Sequence, residues 1–268
     1  MVSGPRGARH AVRALALVYV ALLLVVPLGL VVWRTFEHGL GPFLAAVTAP
    51  EAVHALLVTL EVAVSAVVLN TVFGVGVALL LTRHEFPGRR LLDAVVDLPV
   101  AVSPVVVGLA LVLVYGRFAP LGGWLEGHGL QVIFSVPGMV LATAFISLPL
   151  VVRAVAPVLE ETGEEQEQAA RTLGAGPVQT FRRITVPVIS GALGYGVVLC
   201  FARAIGEYGA VAVVSGRLVG QTQTLPLYVE ERFDNFDQPA AFAVATLLAA
   251  VAAVTLVSTR LLRSRGSS

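Results

Sequence analysis

Apolar residues fall along this chain in long unbroken runs, without the two-residue alternation of a half-buried strand. Residues 14–33, 131–152 and 240–259 contain no charged side chain, residues 56–81 contain only Glu61, and residues 94–115 contain only Asp97. A further run from about 188 to 210 holds Arg203 and Glu207 in its later part. About 20 mostly apolar residues in a helix cross a hydrocarbon core of roughly 30 Å. Within that core a backbone must satisfy its own hydrogen bonds, which selects helices for runs of this length. The pattern therefore predicts an all-α polytopic membrane protein of six transmembrane helices, forming one domain over residues 1–268. Prolines at 27, 99, 104, 137 and 149 predict kinks inside the spans.

Composition agrees with the pattern. The chain is 57% apolar and 13% charged, with a mean hydropathy of +0.87, against about 45–50% and about 25% in an ordinary soluble domain. All 18 basic residues are Arg, so chemistry that needs Lys, such as a phosphate-binding P-loop, has no candidate here. Any ATP-driven work requires a separate ATPase. Cys200 is the lone cysteine, which leaves no disulfide. The five histidines, at 10, 38, 54, 84 and 128, lack metal-ligand spacing and read as surface residues of loops and tail. No nucleophile elbow or dinucleotide turn occurs, so nothing points to an enzyme active site.

Arginine is retained on the cytoplasmic side of short loops. One alternating set of connections, with the two termini, carries thirteen arginines, including Arg83, Arg89, Arg90, Arg153, Arg171, Arg182 and Arg183. The opposite set carries four, Arg34, Arg117, Arg217 and Arg232. Both termini are expected in the cytoplasm. The first apolar run, 20 residues long, exceeds the roughly 7–15 of a secretory signal, so it is expected to be retained as a span.

The only sizeable cytoplasmic connection is 153–187. Thr162 and Glu165 have capping-box spacing, and Glu164, Glu165 and Glu167 suit the first turns of a helix. Ala169, Ala170 and Leu173 then form a small apolar stripe, and Gly174 or Gly176 can end the helix in a left-handed conformation. Pro177 can open a second helix carrying Val178, Phe181 and Ile184, and Pro187 marks entry to the fifth span. Such a loop either docks on a partner or lies on the membrane surface.

The stretch Gln168, Ala169, Ala170, Gly174, Ile184, Thr185, Val186 and Pro187 resembles the EAA loop of permease subunits of bacterial ATP-binding-cassette importers. That motif runs Glu-Ala-Ala, three residues, Gly, nine residues, Ile, any residue, Leu-Pro. Gln168 and Val186 depart from it, and Glu167 is a neighbouring acid that could replace the missing charge. Leu81 to Arg83, Phe86 to Arg89, Ala101 to Val106, Pro120 to Leu125, Arg203 to Ala210, Val213 to Gly216 and Thr224 to Leu227 resemble, more narrowly, the W-type permease branch of sulfate and thiosulfate importers. The resemblance implies a type I importer fold in the bacterial plasma membrane. It also implies partners: a T-type permease, two copies of an ATPase that binds ATP and magnesium, and an external sulfate-binding protein, with no cofactor in this chain and no nucleic acid. In that picture Glu167, Gln168, Ala169, Ala170, Leu173, Gly174, Ile184 and Pro187 form the loop that couples to the ATPase.

The buried polar residues carry two readings each. An Arg within a span costs at least about 2.5–3.5 kcal/mol unless paired or hydrated. Arg203 lies about 22 Å into its span at 1.5 Å per residue, and Glu207 stands four residues on. The two form either an internal ion pair or part of a path for a dianion. Asn70, Ser65 and Thr71 on the second span and Ser103 on the third either join helices or line that path. Asp97 is expected to pair with an Arg. Substrate alternatives are other oxyanions such as molybdate or tungstate; alternative classes are an ATP-independent secondary anion carrier or a channel, for which no repeated pore element is visible.

Overall fold

The computed structural model describes the backbone of residues 6–37 and 39–265 and, within those, the side chains of residues 12–37, 39–255, 257 and 258. His38 and the side chains of His10, Arg6, Arg9, Arg260, Arg263 and Arg265 lie outside the described set. In chain order the helices are α1 (Arg6–Val20), α2 (Val26–Phe36), α3 (Leu40–Val47), α4 (Pro50–Arg83), α5 (Arg89–Ala101), α6 (Pro104–Tyr115), α7 (Pro120–Gly127) and α8 (Val136–Thr162). After them come α9 (Glu165–Thr172), α10 (Pro177–Thr180), α11 (Val186–Ile205), α12 (Gly209–Val214), α13 (Leu225–Asp234) and α14 (Gln238–Arg265). No strand occurs among the described residues.

Five continuous helical stretches are long and apolar enough to cross a membrane: Val12–Phe36, Pro50–Arg83, Val136–Thr162, Pro177–Ile205 and Gln238–Thr255. The sixth expected span, residues 94–115, is two helices, α5 and α6, that meet at 115°. Its break falls at Val102 and Ser103, both extended. Pro104 disfavours a helical conformation for the residue before it, and Ser103 accordingly takes ψ 134° and becomes the cap residue of α6. Pro99, by contrast, is carried within α5.

Two other prolines are absorbed without a break. Residues 21–25 and 181–185 are single turns of π-helix, and Val26 and Val186 bond the carbonyls of Ala21 and Phe181, five residues back. Pro27 and Pro187 follow immediately. A proline cannot donate to the carbonyl four residues before it, and widening the preceding turn relieves the mismatch without ending the rod. Pro187 therefore sits inside a continuous helical stretch that starts at Pro177, not at a helix entrance. Pro137 does open a helix, at the start of α8, so the expected span 131–152 begins five residues late.

The packing centre is α8, most of whose apolar window is buried, with α4 and α11 against it. Glycine sets the approach. A Cβ at Gly74 would stand 2.9 Å from Val151 Cγ1, and one at Gly196 would stand 3.0 Å from Ala154 Cβ. Small residues at such crossings let backbones touch where lipid gives no hydrophobic drive. One apolar cluster, around Val75, Ala78, Val151, Val155 and Leu159, fills the half nearer the long connection. Another, around Val62, Val107, Met139, Ile146 and Val211, fills the other half. The stretch Val12–Phe36 stands apart, touching mainly α14 and α3. There buried Thr35 donates to Val31 and Phe242 carbonyls and meets Thr246.

Candidate functional site

The long connection folds as the sequence pattern suggests, with one difference in its capping. Thr162 is the last residue of α8 and its hydroxyl donates to the Val158 carbonyl at 2.7 Å, so the expected capping box does not form. Gly163 at φ +66° turns the chain, and Glu164 becomes the cap residue of α9 without a side-chain bond to its backbone. The acids Glu165 and Glu167 occupy the first turn, where the helix dipole favours them. Gly174 at φ +86° ends the helix; Ala175 N–H bonds the Ala170 carbonyl at 3.0 Å around it.

What this places outside is unusual for a water-facing segment. Gln168 and Ala169 are exposed, Ala170 is half-buried, and Leu173 is 89% exposed. Val178, on the next helix, is also exposed. Between α9 and α10 lies a cavity of about 270 Å³ lined by Ala170, Leu173, Gly174, Gln179, Arg183 and Ile184. A small, smooth, apolar surface beside a hollow suits a protein partner better than solvent.

Glu167 points the other way. It is buried, accepts a 2.8 Å hydrogen bond from Thr185 Oγ1, and stands 3.5 Å from the Arg83 guanidinium. Arg83, at the end of α4, also donates to the carbonyls of Leu159 at 2.9 Å and Gly163 at 2.7 Å, which close the end of α8. Glu167 thus does not take over the exposed position that Gln168 holds; its charge is turned inward against Arg83 of α4 and Thr185 of the π turn. Gln168 itself reaches Glu164 at 3.4 Å. Pairwise spacing could not have found Arg83, because 84 residues separate it from Glu167.

At the far end of α11, Arg203 Nη1 and Glu207 Oε2 meet at 2.6 Å. The helix does not continue through the pair: α11 ends at Ile205, residues 206–208 are non-helical, and Glu207 Oε1 accepts the Ala210 N–H at the start of α12. The Glu207 side chain is 2% exposed whereas that of Arg203 is 39% exposed. Ser103 is drawn to the same neighbourhood, since a Cβ at Gly209 would lie 2.9 Å from Pro104 Cβ. Two chain breaks therefore lie side by side, with α6 and α12 packed where Gly108 faces the Ala210 carbonyl.

Asn70 is placed differently. It is buried, and its amide donates to the Ala144 carbonyl at 3.0 Å and Ser147 Oγ at 2.9 Å and lies 3.5 Å from Cys200 Sγ. It joins α4, α8 and α11 and faces no open space. Ser65 is half-buried on α4, and Thr71 bonds the Val67 carbonyl of its own helix. Asp97 makes a two-pronged pair with Arg153, at 2.8 and 2.7 Å, and Arg153 also holds Asp93. His54 is not a loop residue: it lies half-buried on α4, while His84 and His128 are exposed. No group of three or more candidate metal ligands occurs among the described residues. A polar cluster on α13 was not anticipated: Glu230 meets Tyr208 and Arg217, and Glu231 meets Gln223. The partners stand 8 to 22 residues from α13's acids along the chain, outside any short motif.

Residues 70–266 match the family of binding-protein-dependent transport system inner membrane components. The chain is 50% identical over 252 residues to the sulfate transport system permease protein CysW of Synechocystis sp., covering 94% of this chain and 91% of that one. It is 47% identical to the protein of the same name from Escherichia coli strain K12, over 91% and 84% of the two chains. With the sulfate transport system permease protein CysT of Salmonella typhimurium it shares 41% identity, over 93% and 90%. A crystal structure of a bacterial transporter that imports the polysaccharide alginate superposes with a TM-score of 0.78 over 96% of this chain and 95% of that one, at 16% identity, a likeness of fold. The chain belongs to the binding-protein-dependent transport system inner membrane components, and it is a multi-pass membrane protein of a transport system.

Proposed function

We propose that this chain is one of two permease subunits of an ATP-driven sulfate importer. The observation that carries the proposal is the pairing of near-full-length 50% identity to a sulfate permease with a capped loop whose Ala169, Leu173 and Val178 are presented outward. In this reading two ATPase subunits bind ATP and magnesium in the cytoplasm, and the loop formed by Gln168, Ala169, Ala170, Leu173 and Gly174 docks on one of them. An external binding protein delivers sulfate, and transport proceeds by alternating access. A second, T-type permease completes the path. Glu61 supports such a neighbour: it is exposed on α4 within an apolar stretch and has no ion pair among the described residues, an arrangement that lipid disfavours. Arg203, Glu207 and Ser103 then belong to the path, with the half-exposed guanidinium lending positive potential and the buried carboxylate limiting it.

Orientation follows from the arginine asymmetry, with both termini cytoplasmic. Single cysteines at Leu173, exposed on the loop, and at Ser3 or Ser267 should label only from the cytoplasm in a background lacking Cys200. One at Gly127, where the structure leaves open space, should label only from outside. Labelling of the Leu173→Cys protein from outside would overturn both the orientation and the docking role. The functional test is reconstitution in proteoliposomes with the second permease, the ATPase and the binding protein, which should give ATP-dependent sulfate uptake. Sulfate movement by this chain without the ATPase would instead identify a secondary carrier.

A further inference from the structure

We infer that Arg83 is the positioning residue through which the loop helix α9 is locked to the membrane-spanning helices, so that a displacement of α9 moves α4, α8 and α11 together. This rests on the docking role proposed above for the loop.

The argument begins with where Arg83 stands. It is the last residue of α4, and α4 packs along α8 through the close contact at Gly74. Its guanidinium reaches across to Leu159 and Gly163, two carbonyls at the end of α8 that have no continuing helix to bond them. A cation is the favoured partner there, because the helix dipole leaves negative charge at that end. The same guanidinium faces Glu167, and the two side chains are only 10% and 11% exposed.

The acid closes the lock from the other side. Thr185, which donates to Glu167, is the last residue of the π turn that accommodates Pro187. The register of α11 is thus read directly by α9. Through two side chains, Arg83 and Glu167, the loop helix is attached to the ends of three spans. Water scarcely reaches the attachment, so neither charge can be solvated in place of its partner.

A lone salt bridge on a flexible loop would slacken when pulled. The multiple attachment does not, because releasing α9 requires Arg83 to abandon a carboxylate while remaining bonded to α8, or to abandon α8 as well. Either event leaves buried polar groups without partners. The arrangement is suited to transmit a push or a pull between the outward-facing Ala169 surface and the spans.

The test uses the whole reconstituted complex and compares Arg83→Gln, Glu167→Gln and the double variant, reading sulfate transported per ATP hydrolysed and ATPase subunits retained per permease. In Arg83→Gln this ratio should fall by about fivefold or more, the lower end of what one coupling contact carries, with the ATPase still bound. The double variant removes the stranded carboxylate and should assemble at least as well as the single variant, yet remain uncoupled, because an amide at 83 cannot bridge both carbonyls and α9. Glu167→Gln should be milder, since Arg83 keeps α8 and Thr185 can still bond the amide. A wild-type ratio in Arg83→Gln or in the double variant would overturn the inference, and so would loss of assembly in both, which would make Arg83 a folding residue only. An Ala169→Trp complex run in parallel separates this from the underlying reading: if it too couples normally with its ATPase attached, the docking assignment itself fails.

Discussion

Two Arg–Glu pairs sit at opposite ends of this molecule, and they are built on opposite principles. Arg83 and Glu167 come from distant parts of the chain, are about equally buried, and have further partners in Leu159, Gly163 and Thr185. Arg203 and Glu207 are four residues apart, and only the acid is buried. The first pair is closed: both side chains are buried, Arg83 bonds the Leu159 and Gly163 carbonyls and Thr185 bonds Glu167, while Arg83 Nε faces Glu167 at 3.5 Å as an ion pair without a hydrogen bond. The second is open: Glu207 is held by Ala210 and Arg203, while Arg203 presents a partly exposed guanidinium that pairs with no other acid among the described residues. A closed pair fixes geometry. An open one leaves potential available to something passing by, which is the property an anion path needs.

The largest stability effect should come from attacking the open pair on its exposed side. Arg203→Gln strands the buried Glu207 carboxylate with only the Ala210 N–H as partner; breaking a fully buried pair costs about 3–5 kcal/mol, and the 39% exposure of Arg203 brings the cost below that range. The yield of assembled complex and its thermal midpoint should drop sharply. Glu207→Gln should be much gentler, because water can reach Arg203. The double variant should regain assembly, since two amides can bond each other, and its sulfate uptake per assembled complex then separates the roles. Uptake well below wild type indicates that the field of Arg203 serves the path; wild-type uptake would reduce the open pair to an ordinary structural clasp.

The open pair was legible in the sequence and the closed one was not, for the same reason. Only four residues separate Arg203 and Glu207, so they could be paired by counting, although α11 ends at Ile205 before it reaches Glu207. Arg83 meets Glu167 only because α4 and α8 run side by side for most of their length and α9 folds back beneath them, and no local period encodes that. The spans themselves were legible from run length, and the end of α9 from the glycines at 174 and 176 that follow an apolar stripe, of which the structure uses Gly174. The 115° break at Ser103 was half legible: Pro99 and Pro104 lie within the same apolar run and both predict a kink, yet α5 carries Pro99 inside the helix while Pro104 starts a new one. Thr162 misled because α8 extends ten residues, nearly three turns, beyond the apolar run 131–152 and absorbs it.

An intermediate effect tests whether the closed end has a function beyond rigidity. Gly174 adopts φ +86° with open space around it, so a side chain there meets no clash and only the backbone conformation resists it. Gly174→Val should therefore cost about 1–2 kcal/mol, more than Ala would, and all of it local to the loop. Membrane insertion should be unchanged, while binding-protein-stimulated ATP hydrolysis should be lost or the ATPase should dissociate. Normal stimulated hydrolysis would show that the loop's end conformation does not matter to the partner, and would weaken the contrast between a transmitting end and a conducting end.

The smallest effect should come from a closed site made of neutral groups. Asn70 is enclosed as Arg83 is, but the groups it joins, the Ala144 carbonyl and Ser147, carry no charge, and Ser147 has the Thr143 carbonyl as well. Polar contacts between membrane helices contribute about 0.6 kcal/mol on average and about 1.7 at most. Asn70→Ala should lower the thermal midpoint of the complex slightly and leave sulfate uptake per assembled complex unchanged, because a residue enclosed by three helices offers the path nothing. If uptake instead falls while stability holds, enclosure in this conformation does not exclude a role in transport. Asn70 would then open in another state of the cycle, and the division between closed and open polar sites would describe one conformation only.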